Sequence, residues 1–266
     1  TAINLQAQTP TWLWANRAGG VASEEGTAIT VDVLGNTYIT GVFSGPTCSF
    51  GTTTLTNVSF TDVFIAKYDA SGNALWAKSG GGYDDEEAFS VTTDAWGNVI
   101  VVGYFSSDTI NFDSTILVNS GLGDMFVVKY DSSGTLLWAK SAWCISGDEA
   151  LSVIADASGN IIVTGFFIGS TITFDTITLT NSGEYDMFIV KYDATGNALW
   201  AKSAGGTSYD EAVAVKVDAL DNIVVTGKFK SNNISFGTFT LTNVNFKEDI
   251  FIVKYDAAGN VLWAKS

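Results

Sequence analysis

The chain repeats one long sequence pattern four times at an almost constant interval. The segments that begin at Asp62, Asp124, Asp186 and Asp249 read DVFIAKYDASGNALWAKS, DMFVVKYDSSGTLLWAKS, DMFIVKYDATGNALWAKS and DIFIVKYDAAGNVLWAKS. Their starts are 62, 62 and 63 residues apart. A period of this size indicates a tandem array of one supersecondary unit, so that the fold is this unit multiplied. A feature shared by all copies is therefore first interpreted as architecture, and a feature of one copy as a candidate for specialisation.

The repeat extends over almost the whole sequence and has partial copies at both ends. One tryptophan recurs in every copy, at Trp14, Trp76, Trp138, Trp200 and Trp263. The KYD segment occurs four times, whereas the LWA segment occurs a fifth time near the N-terminus without its preceding half. We treat residues 1–266 as one repeat domain, divided into units at 12–61 (partial), 62–123, 124–185, 186–248 and 249–266 (partial).

Each unit is predicted to form three β-hairpins. In the third unit these pair residues 188–192 with 198–202, residues 212–217 with 223–229, and residues 234–236 with 240–243. β-Branched and aromatic residues dominate these runs, and the turns between them are rich in Asp, Asn and Gly. No segment shows a sustained helical period. A recurring strand glycine, Gly165 in this unit, predicts a β-bulge or a close approach of two backbones.

These patterns predict an all-β protein made of tandem 62-residue repeats of short antiparallel strands. The first two hairpins supply four strands per unit, which is the organisation of a β-propeller blade. A typical blade takes ~40–45 residues, and the third hairpin accounts for the additional length. An open β-solenoid or repeat array is the alternative architecture.

At these residues the chain resembles a bacterial β-propeller repeat known as SBBP. The shared pattern is D-x-F-x-x-K-Y-D-x-x-G-N-x-L-W-A-K, then an acidic pair and alanine, and then D-x-x-G-N-x-x-V-T-G. It covers essentially residues 12–266. The resemblance implies a propeller fold within a large exported bacterial protein, secreted or on the cell surface. It implies no catalytic residues, because the family is defined by its repeats.

Composition narrows the classes of function. Lys and Arg number 13 against 28 Asp and Glu, and the net charge of −15 repels nucleic acid and anionic membranes. No apolar run approaches the ~20 residues that a membrane-spanning helix needs. Histidine is absent and Arg17 is the single arginine, which excludes nucleophile systems and metal sites that use histidine. We therefore expect no enzyme, and a carboxylate-based glycosidase or lyase is the remaining catalytic alternative.

Residues 1–8, TAINLQAQ, resemble the tail of a signal peptide or the start of a mature exported chain. Both interpretations agree with an extracellular location. The two cysteines, Cys48 and Cys144, fall at non-equivalent positions of the repeat, so their pairing cannot be deduced from the sequence.

Acidic pairs before the third strand of each unit are the strongest candidates for a cation site. The candidate ligands are Asp84, Asp85, Glu86, Glu87, Asp148, Glu149, Asp210 and Glu211. Equivalent positions of a propeller lie on one face, so we expect an acidic ring there. Calcium is the ion that such oxygen ligands would hold, and no other cofactor is expected. The alternative is that these carboxylates are solvated or paired with lysines of the preceding strand: Lys78, Lys140 and Lys202.

Two tryptophans, Trp96 and Trp143, do not follow the repeat and lie in loops. Exposed loop tryptophans stack on sugar rings or anchor protein partners. These two residues are therefore the candidate contacts for a surface glycan or a protein partner, with a packing role as the alternative.

The strand count predicts self-association. The C-terminal segment 249–256 could supply the strand that the N-terminal unit lacks, but residues 262–265 would then duplicate residues 12–15. The surplus strand leaves an unpaired edge, and such edges recruit partners. The sequence as a whole thus predicts an exported structural or interaction module that forms a homo-oligomer or filament. A lectin-like or adhesin module that binds carbohydrate or cations is the alternative.

Overall fold

The computed structural model describes residues 13–245 and 247–266, and within them it contains 25 strands and no helix. The predicted signal-peptide remnant at residues 1–8 lies outside the described residues, as does Trp12. The prediction of an all-β chain is confirmed.

The strands are numbered in chain order. The first seven are β1 (Gly19–Gly20), β2 (Glu24–Val31), β3 (Thr37–Phe43), β4 (Thr47–Phe50), β5 (Thr53–Thr56), β6 (Asp62–Tyr68) and β7 (Ala74–Gly81). The next six are β8 (Glu86–Thr93), β9 (Val99–Phe105), β10 (Thr109–Phe112), β11 (Thr115–Val118), β12 (Asp124–Tyr130) and β13 (Leu136–Ser141). They are followed by β14 (Asp148–Ala155), β15 (Ile161–Phe167), β16 (Thr171–Phe174), β17 (Ile177–Thr180), β18 (Asp186–Tyr192) and β19 (Ala198–Ala204). The last six are β20 (Asp210–Val217), β21 (Ile223–Phe229), β22 (Asn233–Phe236), β23 (Phe239–Thr242), β24 (Asp249–Tyr255) and β25 (Val261–Lys265).

Four antiparallel sheets of four strands form the body of the molecule. Sheet 1 has the order β2-β3-β6-β7, sheet 2 β8-β9-β12-β13, sheet 3 β14-β15-β18-β19 and sheet 4 β20-β21-β24-β25. We call the first strand of each sheet its inner strand and the last its outer strand. The third hairpin of each unit lies outside these four-stranded sheets: β16–β17 and β22–β23 form two-stranded sheets, β4–β5 pairs with β1, and β10–β11 extends the outer edge of sheet 1. At that edge, β10 pairs with β7.

The sheets stack on one another, with their inner strands side by side. The Ser90 hydroxyl accepts a hydrogen bond from the Val153 amide, and the Ser152 hydroxyl accepts one from the Val215 amide, both at 3.3 Å. Apolar side chains from consecutive sheets fill the space between them. Among the described residues, β2 and β20 do not make the contact that joins consecutive inner strands. The structure is therefore a propeller-like repeat array, as the strand pattern predicts.

The structural sheets are offset from the units of the sequence. The unit 62–123 supplies β6 and β7 to sheet 1, and then β8 and β9 to sheet 2. Two halves of different sequence units thus complete each sheet. The predicted hairpins themselves are found at the expected places. The pair predicted at 234–236 and 240–243, for example, is β22 and β23.

A β-bulge recurs in every inner strand, opposite a glycine. In sheet 2 the pairing shifts between Ala88 and Ser90, next to Gly103. A Cβ atom on Gly103 would lie 1.9 Å from the carbonyl oxygen of Glu87. The predicted bulge and the predicted close approach are therefore both present, and a side chain at this position would clash with the neighbouring backbone.

A lysine and a tryptophan join each sheet to the next. The Lys67 ammonium and the Trp76 indole donate hydrogen bonds to the carbonyl oxygen of Ser132, at 2.8 and 3.3 Å. Ser132 belongs to a turn of sheet 2, so the contact crosses the junction. The same pair recurs at the next two junctions, as Lys129 with Trp138 on Ala194 and Lys191 with Trp200 on Ala257. We call this arrangement the lysine–tryptophan clamp.

Candidate functional site

The acidic pairs divide between two sides of the inner strands. Glu86 is completely buried, whereas its neighbour Glu87 is exposed. Successive side chains of a strand point to opposite faces, so two adjacent acids cannot face the same way. The single acidic ring expected from the sequence is therefore wrong: the pairs form a buried set and a separate row.

The buried set consists of two carboxyl groups at each junction between sheets, and we call these groups the junction carboxyls. They are the pairs Asp62 with Glu86, Asp124 with Asp148, and Asp186 with Asp210. All six side chains are at most 1% exposed. In each pair, the first residue begins the third strand of one sheet, and the second residue begins the inner strand of the next sheet.

At the first and third junctions, backbone and hydroxyl groups compensate for the burial of one carboxylate. The Gly82 amide donates to Oε2 of Glu86 at 3.0 Å, and the Ser107 hydroxyl donates to Oε1. At the third junction the Ser231 hydroxyl donates to Asp210 at 2.6 Å. Burial, together with a smaller effect of the charge of Asp62, nevertheless raises the pKa of Glu86 to about 7.

Burial also raises the pKa of the other member of each pair. The pKa of Asp62 rises to about 7, and those of Asp124 and Asp186 rise to about 6. One carboxylate oxygen of each of these three aspartates is buried without a hydrogen-bond partner. Asp62, Asp124 and Asp186 therefore keep their protons to higher pH than exposed aspartates do, because desolvation penalises the charged form.

The second junction departs from this pattern. Cys144 stands where the first junction has Gly82, and Gly169 stands where it has Ser107. Asp148 consequently lacks the hydroxyl donor and accepts a hydrogen bond from the Met125 amide at 3.0 Å. Its Oδ2 atom is buried without a partner, and burial together with the charge of Asp124 raises its pKa well above the ordinary value.

The glutamates that directly follow Glu86, Asp148 and Asp210 in the sequence form a row along neighbouring inner strands. We call Glu87, Glu149 and Glu211 the glutamate row. Burial raises the pKa of Glu149 to about 7, and the charges of Glu87 and Glu211 raise it as well. Lys228 contacts Glu211 at 3.4 Å. No lysine or arginine of the described residues forms an ion pair with Glu149.

Asp84 and Asp85 lie apart from both sets, in the exposed loop before β8. The Thr61 hydroxyl donates to Asp85 at 2.9 Å. The alternative interpretation, in which the acids pair with lysines of the preceding strand, is wrong for two of the three lysines. Lys78 pairs with Asp113 at 3.0 Å, and Lys140 pairs with Asp175 at 2.7 Å. Asp113 lies in the turn between β10 and β11, and Asp175 lies in the turn between β16 and β17.

Within the part of the chain that the structure describes, no three Asp, Glu or Cys side chains come together in an arrangement that could hold a metal ion. The eight candidate ligands are thus distributed over a loop, three junctions and one row. Calcium binding at these residues stays a prediction.

Trp96 and Trp143 lie at opposite ends of the sheets. Trp96 belongs to the turn after β8, and its indole covers Gly159 in the corresponding turn of sheet 3. Trp143 lies in the connection before β14, and its backbone exchanges two hydrogen bonds of 3.0 Å with Thr173. Both side chains are more than half exposed. They can serve as contacts for partners, but they do not form one binding surface.

The sequence interpretation did not identify the aspartates at the start of the third strands: Asp62, Asp124 and Asp186. A usable signal was present, because each begins the repeated D-x-F segment and is followed after 24 residues by an acid. An acid that is repeated at the edge of an apolar strand indicates a buried polar role.

The stacked four-stranded sheets and their joined inner strands define a tandem-repeat protein of the β-propeller type. The chain is 26% identical, over 95% of its length, to an uncharacterised WD repeat-containing protein of Acanthamoeba polyphaga mimivirus, covering 23% of that protein. It is 28% identical, over 63% of its length, to the regulatory protein FlaEY of Caulobacter vibrioides, covering 19% of that protein. WD repeats are propeller-forming repeats, which agrees with this class.

The chain thus spans less than a quarter of the length of these curated relatives. A solved structure of a protein of unknown function from Bacteroides caccae aligns with 91% of this chain and 81% of its own, at 9% identity and a TM-score of 0.38. No family model matches the chain, so its assignment to the SBBP repeat stays a prediction. The described residues contain no helix long and apolar enough to span a membrane.

Proposed function

We propose that the chain is a non-enzymatic structural and interaction module that associates head to tail. In this arrangement, sheet 4 of one copy stacks on sheet 1 of another copy, as consecutive sheets stack within the chain. The observation that carries the proposal is the exposure of apolar side chains on the two end faces at positions that are buried at every internal junction.

The end face of sheet 1 shows this on the inner strand. Ile29 is 66% exposed, whereas the equivalent Val91, Val153 and Val215 are at most 7% exposed. A cavity of about 320 Å³ adjoins this face and is lined by Trp14, Ile29, Phe50 and other residues. Burial of apolar side chains from water is the main favourable term in association, so this face gains by receiving another sheet.

The end face of sheet 4 is its counterpart. Ile250 is 74% exposed and Ile252 is 40% exposed. Their equivalents in sheet 3, Met187 and Ile189, are completely buried against sheet 4. Each internal junction brings together these same two kinds of face, which supports a second copy as the occupant.

The clamp residues point to the same arrangement. Lys254 is the counterpart of Lys67, Lys129 and Lys191, and its ammonium lies 2.8 Å from Asp218. The lysine side chains at internal junctions also reach a turn carbonyl of the following sheet. The carbonyl of Ala70, which is equivalent to Ser132 in the repeat, is the corresponding acceptor on sheet 1 of a second copy.

Residues 13–20 compete with a second copy for the end face of sheet 1. The Trp14 ring covers Gly72 and lies 6.3 Å from the Tyr68 ring, as Trp76 covers Gly134 beside Tyr130. The segment thus occupies the outer-strand place that β25 of an incoming copy needs. Association therefore requires residues 13–20 to exchange with β25 of the neighbouring copy.

Light scattering over a range of protein concentrations tests this function. We expect the mass of the wild-type chain to increase with concentration, and the Trp14→Ala variant to associate at lower concentration because segment 13–20 is held less tightly. The variant Ile252→Lys should abolish association. Leu199→Lys is the matched control, because Leu199 is similarly exposed but lies on an internal outer strand. A constant monomer mass for both the wild type and Trp14→Ala would refute the proposal.

Location outside a bacterial cell belongs to the same proposal and is supported by the resemblance of the repeat pattern to those of exported proteins. Protease treatment of intact cells that carry a tagged chain tests it. Cleavage without lysis supports an exposed location, and complete protection contradicts it.

A further inference from the structure

A notch of about 180 Å³ opens between sheets 2 and 3, on the side of the glutamate row. It is lined by Tyr104, Leu122, Asp148, Glu149, Phe166 and Ile168. Pockets for small molecules occupy ~300–1,000 Å³, so the notch has room for one side chain rather than for a drug-sized ligand.

The notch combines apolar walls with carboxyl groups that lack a cationic partner among the described residues. Tyr104 and Phe166 supply aromatic surface, and Glu149 supplies a carboxylate that no cation of the described residues contacts. Burial raises the pKa of Tyr104, and the nearby charges of Glu149 and Glu87 raise it as well. Asp148, which also lines the notch, is 1% exposed and has one carboxylate oxygen without a partner. Such surroundings favour a cation that has an apolar stem.

Sheet 4 shows how this fold position accommodates an ammonium group. Lys228 stands at the position equivalent to Phe166, and its Nζ atom lies 3.4 Å from Glu211, the equivalent of Glu149. Lys230 stands at the position equivalent to Ile168, and its Nζ atom lies 5.2 Å from the centre of the Tyr209 ring. In sheet 3 both lysines are replaced by apolar residues, which leaves Glu149 without its cation.

We propose that the notch between sheets 2 and 3 binds a lysine side chain of a partner protein. The methylene stem of this lysine lies against Leu122 and Ile168. Its ammonium group faces the Tyr104 ring and pairs with Glu149. Cation–π contact and a charge-assisted hydrogen bond both stabilise such a group. The net charge of −15 attracts basic partners to this surface. This site is independent of the end faces that mediate head-to-tail association.

The probe for the test is N-acetyl-lysine methylamide, with N-acetyl-norleucine methylamide as an uncharged analogue of the same length. Both are titrated into the ¹⁵N-labelled chain, and amide chemical shifts are followed by NMR. We expect saturable shifts around Leu122, Glu149 and Ile168 with the lysine probe and none of comparable size with norleucine. Glu149→Gln should weaken this binding about tenfold.

Two variants separate the notch from general acidity. Phe166→Lys reproduces the arrangement of sheet 4 and should abolish binding, because its own ammonium pairs with Glu149. Glu25→Gln is the control: it removes the equivalent acid of sheet 1, where Val42 replaces the aromatic residue, and should leave binding unchanged.

Thermal melts establish that each variant is folded, and Glu149→Gln keeps the test valid if Phe166→Lys does not fold. Shifts that are equal for both probes would overturn the proposal. Shifts that are spread over all acidic loops, or that persist in Glu149→Gln, would overturn it as well.

Discussion

The ammonium nitrogen of Lys129 lies 3.0 Å from a carboxylate oxygen of Asp94, and the two side chains are 2% and 0% exposed. Removing one partner of a buried ion pair leaves the other charge without compensation, which costs about 3 kcal/mol or more. We therefore expect Lys129→Met to lower the free energy of unfolding by about 3 kcal/mol, as measured by urea denaturation.

The control for this variant is Lys78→Met. Lys78 also lies 3.0 Å from its partner, Asp113, but both side chains are about one-third exposed. Exposed pairs contribute at most about 1 kcal/mol, so this variant should be almost neutral. Equal losses for the two variants would mean that burial does not decide the strength of these pairs.

Because the pKa values of three junction aspartates are raised in the folded chain, we expect the free energy of unfolding to decrease as pH rises toward neutrality. The folded-state pKa values of Asp124 and Asp186 are raised to about 6, and that of Asp62 to about 7, above the ordinary 3.8. Between about pH 4 and pH 7 the folded chain therefore binds more protons than the unfolded chain. The stabilisation that comes from these bound protons is complete below about pH 4 and is lost as pH rises through the folded-state pKa values.

Asp124→Asn tests this pH dependence. Because its amide does not ionise, the decrease in the free energy of unfolding between pH 5 and pH 8 should be smaller by about 1–3 kcal/mol. Asp193→Asn is the control, since hydrogen bonds from Asn197 and Thr195 hold the pKa of Asp193 below its ordinary range and outside this window. An unchanged slope in Asp124→Asn would contradict the assignment.

Gly26 and Gly41 pair across β2 and β3 but differ in the space around them. A Cβ atom on Gly41 would lie 1.8 Å from the carbonyl oxygen of Glu25, whereas a Cβ atom on Gly26 would meet nothing within 4 Å. We expect Gly41→Ala to destabilise the chain by about 3 kcal/mol, a core-overpacking effect. Gly26→Ala should be neutral or stabilising by up to about 1 kcal/mol. Thermal unfolding of the two variants measures this difference in stability. A small loss of stability in Gly41→Ala would show that the backbone moves to make room for the methyl group.

The two cysteines are expected to be unreactive thiols in the native chain. Cys48 and Cys144 are both buried and free. Burial raises the pKa of Cys48 to about 11 and also raises that of Cys144. Since the thiolate is the reactive form, a disulfide reagent should label no thiol under native conditions and two in denaturant. Rapid labelling of the native chain would contradict this burial.

The local structure was predictable because its signals are local. Turn residues such as Asp193 and Gly196 mark the hairpins, and the position of Gly165 inside a strand indicates a close backbone approach. The outer hairpins were also visible in the sequence, since β22 and β23 fall within one residue of the expected runs.

The candidate site could be predicted much less well, because it depends on pairing between distant strands. The sequence alone does not show that the start of β6 in sheet 1 lies beside the start of β8 in sheet 2, so the meeting of Asp62 with Glu86 was missed. The expected single acidic ring was wrong because successive side chains of β8 point to opposite faces, which separates Glu86 from Glu87. The role of Phe166 becomes clear only by comparison with sheet 4, where Lys228 occupies the equivalent position and pairs with a glutamate.

The direction of the lysine–tryptophan clamp gives the array a built-in tolerance to changes in its length. Every clamp reaches from one sheet to the turn of the next, at Ser132, Ala194 or Ala257. Duplication or deletion of one whole period would therefore recreate the same junction and introduce no new kind of contact. Near-identical copies also favour unequal recombination of the coding sequence, so this architecture allows a lineage to lengthen or shorten the protein one sheet at a time.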